Sequence, residues 1–233
     1  VEQLFAAAFD NEWLAQRNDQ ALLPQPEGRI VMSTDCHVVS PLFFPGGDIG
    51  CLSVHGTIND VAMSGARPLY LAAGFILEEG FPLADLKRIV DSMAAASHDA
   101  GVPIVTGDTK VVETGKGDGV FITTTGVGVV PPGILISGDR ARPGDRIIVS
   151  GTVGDHGMAV MSQRESLAFG TDLVSDTAAL HGLGSRRPLQ HIHGARARRF
   201  GLCPGGGRHG RLRADRRQLH AHDAGCQVVR RVA

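Results

Sequence analysis

The chain has 233 residues, of which 42% are hydrophobic and 20% are charged, so it has room for one large globular domain or two ordinary ones. No run approaches the roughly 18 apolar residues of a membrane span and no signal peptide opens the chain, so we expect a cytoplasmic protein without membrane contact. The four cysteines form no CxxC pair, which argues against a zinc site or a disulfide framework. Since the sequence begins at Val1, we expect upstream residues to be missing.

The net charge of −1 conceals two unlike parts. Residues 1–180 contain 11 Lys and Arg against 22 Asp and Glu, whereas residues 181–233 contain 12 Arg, no Lys and 2 Asp. The basic part has no helical or strand period and few apolar residues, so its composition predicts a disordered or non-native tail. A nucleic-acid site is the disfavoured alternative, because no aromatic residues interleave the arginines and no known module is present.

Strands and helices alternate along the acidic part. The β-branched run 29–36 predicts a strand that ends near Thr34-Asp35. Asp48 stands at the N-cap position of a helix predicted for residues 49–65. The apolar run 67–78 predicts a second strand, covered on both faces.

Five further elements follow and together predict an α/β or α+β layered fold. They are an amphipathic helix opened by Pro82, running through Ala100 and ended by Gly101; a short strand at Val102–Val105 leading into Thr106-Gly107-Asp108-Thr109; a strand at 119–130; a turn and strand at 141–151; and a helix at 158–167 after Gly154-Asp155-His156-Gly157.

Four aspartates follow strands or open helices: Asp35, Asp48, Asp60 and Asp108. Carboxylates at strand ends face the crevice where α/β folds bind ligands, and several together require a hard cation such as Mg²⁺. Magnesium with a nucleoside triphosphate explains such a cluster, although any single Asp is more often a cap or turn residue. One helix over residues 48–64 would hold Asp48 and Asp60 roughly 18 Å apart, so Asp35, Asp60 and Asp108 form the preferred trio.

Other residues have both a functional and a structural interpretation. Gly46-Gly47 could present backbone N–H groups to an anion or form a plain turn, and no Walker A ending follows. Lys110 could pair with phosphates or remain solvated. His156 could act as an acid or base, or hold a turn. We expect Cys36 to be a buried packing residue, because nothing beside it in the sequence would activate its thiol.

Several longer stretches resemble the HypE family of hydrogenase maturation proteins, within the AIR synthase-like (PurM-like) ATP-binding superfamily. The combination of SPLFFPGGDIG, NDVAMSGARP and TGDTKVV is specific, whereas TD, ND and GDT alone fit the whole superfamily. The matching stretches, in order over about residues 29–180, are STDCHVVSPLFFPGGDIG, GTINDVAMSGARPLYLAAGFILEEGFPL, IVTGDTKVV, GKGDGVFITTTGVG and ISGDRARPGDRIIVSGTVGDHGMAVMSQRE.

The resemblance implies an ATP-dependent carbamoyl dehydratase. Such proteins dehydrate a carboxamide on the sulfur of their own C-terminal cysteine to a thiocyanate, which supplies the cyanide ligands of [NiFe]-hydrogenase iron. HypF supplies the carbamoyl group and the HypC–HypD complex receives the cyanide. The N-terminal domain builds a homodimer, in which its strands close a barrel with those of the partner. The resemblance implies neither a nucleic-acid nor a membrane partner.

The family's motifs also imply site residues. Asp35, Asp60 and Asp108 would hold the Mg²⁺ of Mg²⁺–ATP, with Asp48 and Lys110 near the phosphates. The implied ATP-binding set is Gly46, Gly47, Asp48, Asn59, Asp60, Gly107, Asp108, Thr109 and Lys110.

The last part of the sequence departs from the family pattern. A D-x-T-R-G-G segment and a terminal acceptor cysteine are absent, and Cys226 stands in another context. With one choice of synonymous codons, Arg198–His209 reads GGLASALAEVA in a displaced frame, which restores a helical period. We therefore expect a frameshifted or misassembled tail, and a chain that is not competent for dehydration alone.

These observations predict three regions. An AIR synthase-like N-terminal domain for ATP binding and dimerisation covers residues 1–167, the start of an incomplete second α/β domain covers 168–180, and the tail covers 181–233. One alternative is another ATP-using enzyme of the superfamily, such as a thiamine-phosphate kinase or selenophosphate synthetase, which the SPLFFPGGDIG stretch disfavours. Another is a non-catalytic dimeric scaffold for hydrogenase maturation, which the absent cysteine favours.

Overall fold

Four long strands pair into one mixed sheet, and two helices pack on one of its faces. The computed structural model describes residues 1–140, 143, 147–149, 151–166, 173–182 and 228–230. Its elements are α1 (Glu2–Ala8), β1 (Arg29–His37), β2 (Phe43–Phe44), β3 (Gly47–Asp48), α2 (Ile49–Ala62), β4 (Arg67–Glu78), α3 (Leu83–Ala100), β5 (Ile104–Val112), β6 (Val120–Val130), β7 (Ile147–Val149), α4 (Asp155–Arg164) and β8 (Val228–Arg230).

The order of strands in the main sheet is β1-β6-β4-β5. Strand β6 runs antiparallel to both β1 and β4, whereas β4 and β5 are parallel and are connected through α3. Strands β1 and β5 are therefore the two edges. This arrangement confirms the predicted layered fold of strands and helices.

The core lies between the sheet and the helices α2 and α3. Ile58 of α2, Ile89 and Met93 of α3, and Leu71 and Ile122 of the sheet are all almost completely buried. The period of 3.6 on the helices and of 2 on the strands directs these side chains to one layer. Capping residues set both ends of α3: Pro82 precedes its first residue, and Gly101 ends it in the left-handed region at φ 66°.

The opposite face of the sheet is exposed, and we call it the outward face. It carries Ile30 and Met32 of β1, Ile76 of β4, and polar residues of β5. The prediction that residues 67–78 are covered on both faces is wrong for the single chain, because only alternate side chains of β4 meet the helices. An apolar run predicts that a strand is buried, but it does not show which part of the chain or which partner covers each face.

Other boundaries also differ from the predictions. Residues 106–109 lie inside β5 rather than after its end, and α4 begins at Asp155 rather than at 158. Helix α1 has no counterpart among the predicted elements.

Most of the predicted tail, 181–233, lies outside the described residues, but Val228–Arg230 pair with Ile147–Val149 as a strand that composition did not predict. None of the helices in the described ranges is long and apolar enough to cross a membrane.

Candidate functional site

Two of the predicted carboxylates lie together where α2 crosses β1. The Asp35 Oδ2 atom accepts a hydrogen bond from Thr57 Oγ1 at 3.2 Å, and the Asp60 Oδ2 atom accepts one from Ser33 Oγ at 3.3 Å. Ser33 and Asp35 share one face of β1, and Thr57 and Asp60 are neighbours one turn apart on α2. These four oxygen-bearing side chains form one group, which we call the β1–α2 cluster.

The β1–α2 cluster is held by close packing of α2 on the sheet. A Cβ atom at Gly56 would come within 3.2 Å of His37 Nε2 and 3.9 Å of Asp35 Oδ2, so glycine at this position allows the helix to approach β1. On the neighbouring strand β6, the buried Thr124 hydroxyl donates to the Ser53 carbonyl at 2.9 Å. The cluster therefore rests on a helix and a strand, whose positions are fixed by packing rather than by a loop.

The third predicted carboxylate, Asp108, lies far from the β1–α2 cluster. Strands β6 and β4 separate β1 from β5, so three strand spacings put roughly 14 Å between the two edges. Asp35 and Asp108 also lie on opposite faces of the sheet. Asp35 is paired across the strands with Thr124 and, through it, with Ala73, whereas Asp108 is paired with Gly74. Because successive residues of a strand point to opposite faces, the neighbours Ala73 and Gly74 mark different faces.

One chain consequently does not assemble the predicted trio. Among the described residues, no group of three or more His, Cys, Asp or Glu side chains could hold a metal ion. The expectation that Asp108 follows a strand end beside Asp35 is wrong for the single chain, because the TGDT segment lies within an edge strand and its Asp108 is on the outward face.

Asp108 instead forms an exposed ion pair on β5. Lys110 Nζ lies 2.7 Å from Asp108 Oδ2, and Asp108 Oδ1 accepts a hydrogen bond from the Thr109 N–H at 2.8 Å. The hydrogen bond from Lys110, followed by that from the Thr109 backbone, lowers the pKa of the Asp108 carboxyl below its usual value. The close approach of β5 to β4 explains the glycine at position 107, since a Cβ atom there would overlap the Ala73 carbonyl oxygen of β4.

The residues ahead of α2 have structural roles in the chain. Asp48 is the N-cap of α2, and its Oδ1 atom accepts hydrogen bonds from Gly50 N at 2.7 Å and Cys51 N at 3.1 Å, as the sequence predicts. Gly46 turns the β2–β3 hairpin at φ 92°, and a Cβ atom there would clash with Val174. A later segment therefore covers this glycine, and the plain-turn interpretation accounts for it.

Asn59 is buried and binds backbone rather than another side chain. Its Nδ2 atom donates to the Ala178 carbonyl at 2.9 Å, and its Oδ1 atom accepts from the Leu180 N–H at 2.8 Å. These partners lie about 120 residues away in the sequence, so no local pattern could indicate the contact.

His156 and Cys36 also have defined surroundings. His156 is buried in the first turn of α4, with Nδ1 at 3.0 Å from Ser175 Oγ and its ring edge-on to Phe44. This environment favours the structural interpretation of the histidine. Cys36 is exposed on the outward face, so the prediction of a buried packing residue is wrong. Its position on an edge strand with one open face explains the difference.

Comparison with known proteins identifies the family. Residues 17–130 match the family model described as AIR synthase related protein, N-terminal domain. The carbamoyl dehydratase HypE of Cupriavidus necator is 76% identical over 184 residues, which cover 78% of this chain and 52% of that protein. The chain belongs to the HypE family, within the AIR synthase-like superfamily.

Other HypE proteins give the same result. The carbamoyl dehydratase HypE of Azotobacter vinelandii is 74% identical over 183 residues, which cover 78% of this chain and 54% of that protein. The chain therefore spans about half the length of the HypE relatives it matches.

Solved HypE structures share the fold. A crystal structure of hydrogenase maturation protein HypE in complex with ATP matches with a TM-score of 0.77 and 53% identity, covering 80% of this chain and 55% of that one. The structure of a HypE–HypF complex matches with a TM-score of 0.67 and 57% identity, covering 79% and 59%. These matches confirm the predicted AIR synthase-like N-terminal domain.

Proposed function

We propose that this chain is the nucleotide-binding part of a HypE-type carbamoyl dehydratase. The observation that carries the proposal is the β1–α2 cluster, in which Asp35 and Asp60 are brought together by a strand and a packed helix. The HypE relative with bound ATP supports the same assignment, since 53% of the aligned residues are identical. In this reaction ATP drives dehydration of an S-carboxamide to a thiocyanate for hydrogenase maturation.

The donor set of the β1–α2 cluster fits magnesium. Mg²⁺ prefers oxygen ligands, and one or two carboxylates together with substrate phosphates commonly hold it. Asp35 and Asp60 supply two carboxylates, and Ser33 and Thr57 supply hydroxyls to position them. Asp35 and Asp60 would hold the ion, which when bound neutralises negative charge on the phosphates.

Asp108 and Lys110 enter this proposal through a second copy of the chain. They lie on the outward face beside Ile76, and Ile30 and Met32 extend the exposed apolar surface across β1. An exposed apolar face on a sheet with two open edges is typical of an interface. A homodimer in which two sheets close a barrel would place β5 of one copy near β1 of the other.

In such a dimer, each nucleotide would contact residues from both copies. Asp35 and Asp60 of one copy would orient the phosphates, while Asp108 and Lys110 of the other would complete their surroundings. A lysine ammonium is a compact charge suited to a phosphate oxygen, and Asp108 holds that ammonium in place. The remaining members of the predicted ATP-binding set, Gly46, Gly47, Asp48, Asn59, Gly107 and Thr109, would shape the adjoining backbone.

The chemistry requires a carboxamide oxygen to become a leaving group. Transfer of a phosphoryl group from ATP to that oxygen, followed by loss of phosphate and of the amide protons, converts the carboxamide carbon and nitrogen to a nitrile. Phosphoryl transfer depends mainly on positioning and charge stabilisation, which carboxylates fixed on packed elements provide. We propose HypF as the source of the carbamoyl group, supported by the related HypE–HypF complex, and HypC–HypD as the acceptor of the cyanide.

Calorimetric titration of the full chain with ATP in excess Mg²⁺ tests the proposed site. We expect Asp35→Asn and Asp60→Asn each to weaken binding at least about tenfold, which corresponds to roughly 1.4 kcal/mol. Asp91→Asn is the matched control, because Asp91 is an exposed aspartate of α3 paired with Lys87. Unchanged affinity in both cluster variants, or no binding by the unaltered chain, would contradict the proposal.

A further inference from the structure

Residues 173–182, which we call the strap, lie across α2 and the start of α4. The Ser175 N–H donates to the Pro45 carbonyl at 2.8 Å, and Asp176 Oδ1 accepts from the His156 N–H at 3.0 Å. Further along, Asn59 of α2 binds the strap backbone on both sides of residue 179. The strap is thus fixed by hydrogen bonds at three points, two through its backbone and one through the Asp176 side chain.

The end of the strap brings two histidines together. The Leu180 N–H bonds to Asn59, and His181 follows it beside the preceding turn of α2, which carries His55. The Nδ1 atoms of His55 and His181 are both buried and have no hydrogen-bond partner. A buried imidazole without an acceptor for its second N–H favours the neutral ring.

The surroundings of both rings also favour the neutral form. Burial lowers the pKa of His55 below 6.5, and the adjacent His181 lowers it further, whereas the carboxylates of Asp99 and Asp48 oppose this effect. Burial likewise lowers the pKa of His181, whereas a hydrogen bond with the Ala100 backbone at the end of α3 opposes this effect. The charged and polar groups that face the pair thus come from α3 and from Asp48 of β3, the N-cap of α2.

We propose that docking of the strap responds to pH: the strap is docked on α2 while His55 and His181 are neutral, and it is released when both imidazoles are protonated. Protonation would place two positive charges close together and leave each ring with an Nδ1–H that has no acceptor, whereas undocking exposes His181 to water. Docking is at full strength above the ordinary imidazole pKa of about 6.5 and weakens as the pH falls below it, because the docked rings bind protons less readily. Release would also free the Asn59 amide beside Asp60.

The proposal is tested by hydrogen–deuterium exchange of the full chain at pH 7.5 and pH 5.5, corrected for intrinsic exchange rates. The reporters are the strap amides of Ser175 and Leu180, with amides of β6 as an internal check that the domain stays folded. We expect protection of the strap amides to fall at least about tenfold at pH 5.5 while protection of β6 persists.

Variants separate the histidine pair from other acid effects. A double variant with His55→Gln and His181→Gln should keep the strap protected at pH 5.5, and Asn59→Ala should lose protection at both pH values. His98→Gln is the control, since His98 is exposed on α3. Equal strap protection at both pH values in the unaltered chain, or the same loss at pH 5.5 in the double variant, would overturn the proposal.

Discussion

The two edges of the main sheet carry the same residue type in different settings. At the β1 edge, Asp35 and Asp60 are hydrogen-bonded to hydroxyl groups in the angle between a strand and a packed helix. At the β5 edge, Asp108 lies on the open face and pairs with Lys110. Short aspartate motifs thus lie at two separate positions of the sheet, and the strand order rather than the motif decides which carboxylates meet.

The packing of α2 on β6, the strand next to the first edge, gives the largest expected effect on stability. A Cβ atom at Gly128 of β6 would lie 2.5 Å from Val61 Cγ1 and 2.8 Å from the Arg67 carbonyl oxygen, so neither neighbour can yield without moving the helix or β4. We expect Gly128→Ala to lower the free energy of unfolding by about 3 kcal/mol, measured by urea denaturation.

The corresponding change at the second edge should be milder. A Cβ atom at Gly107 would overlap the Ala73 carbonyl, but β5 is an edge strand and can move away from β4. We expect Gly107→Ala to lower the free energy of unfolding by about 1–2 kcal/mol. Gly151→Ala is the control for both, since nothing lies near that glycine. A larger loss for Gly107→Ala than for Gly128→Ala would show that the β5 edge is the more rigid one.

The cap of α2 gives an intermediate effect. Asp48 satisfies two N–H groups of the first turn, so Asp48→Ala should lower the free energy of unfolding by about 1 kcal/mol. Asp48→Ser should restore most of that loss, because a serine hydroxyl can also cap a helix. If Asp48→Ser weakens Mg²⁺–ATP binding while keeping the stability, Asp48 also serves the nucleotide, as the family resemblance implies.

The ion pair of the second edge gives the smallest effect. Because Lys110 is the main cause of the low Asp108 pKa, Lys110→Gln should raise that pKa toward its ordinary value. A carboxyl carbon titration by NMR measures the change directly. Lys87→Gln, which removes another exposed lysine, should leave the Asp108 titration as it is. An unchanged Asp108 pKa in Lys110→Gln would mean that the pair seen on β5 does not persist in solution.

Local features of the fold could be predicted from the sequence, whereas the relation between its parts could not. The cap at Asp48 and the end of α3 at Gly101 depend on a few neighbouring residues, and the structure confirms both. The position of TGDT inside edge strand β5 depends on the strand order, which no local pattern contains. The exposure of Cys36 depends on which face of the sheet the helices cover, and this too is absent from any local pattern.

The candidate site was predictable to the same extent. The β1–α2 cluster joins Asp35 and Asp60, which strand and helix patterns single out, but its hydroxyl partners and the separation of Asp108 emerge only in three dimensions. The binding of the strap by Asn59 joins residues about 120 positions apart. Contacts of that range depend on tertiary packing.

A mixing experiment tests most directly whether one nucleotide site is shared between two copies of the chain. Asp60→Asn and Asp108→Asn chains, each expected to bind Mg²⁺–ATP poorly, would be co-expressed and titrated as a mixture. Random pairing in a two-fold dimer makes half of the dimers mixed, and each mixed dimer regains one intact site, so roughly one quarter of the sites should recover full affinity. A mixture that binds no better than either variant alone, or an Asp108→Asn chain with unaltered affinity, would contradict the shared site.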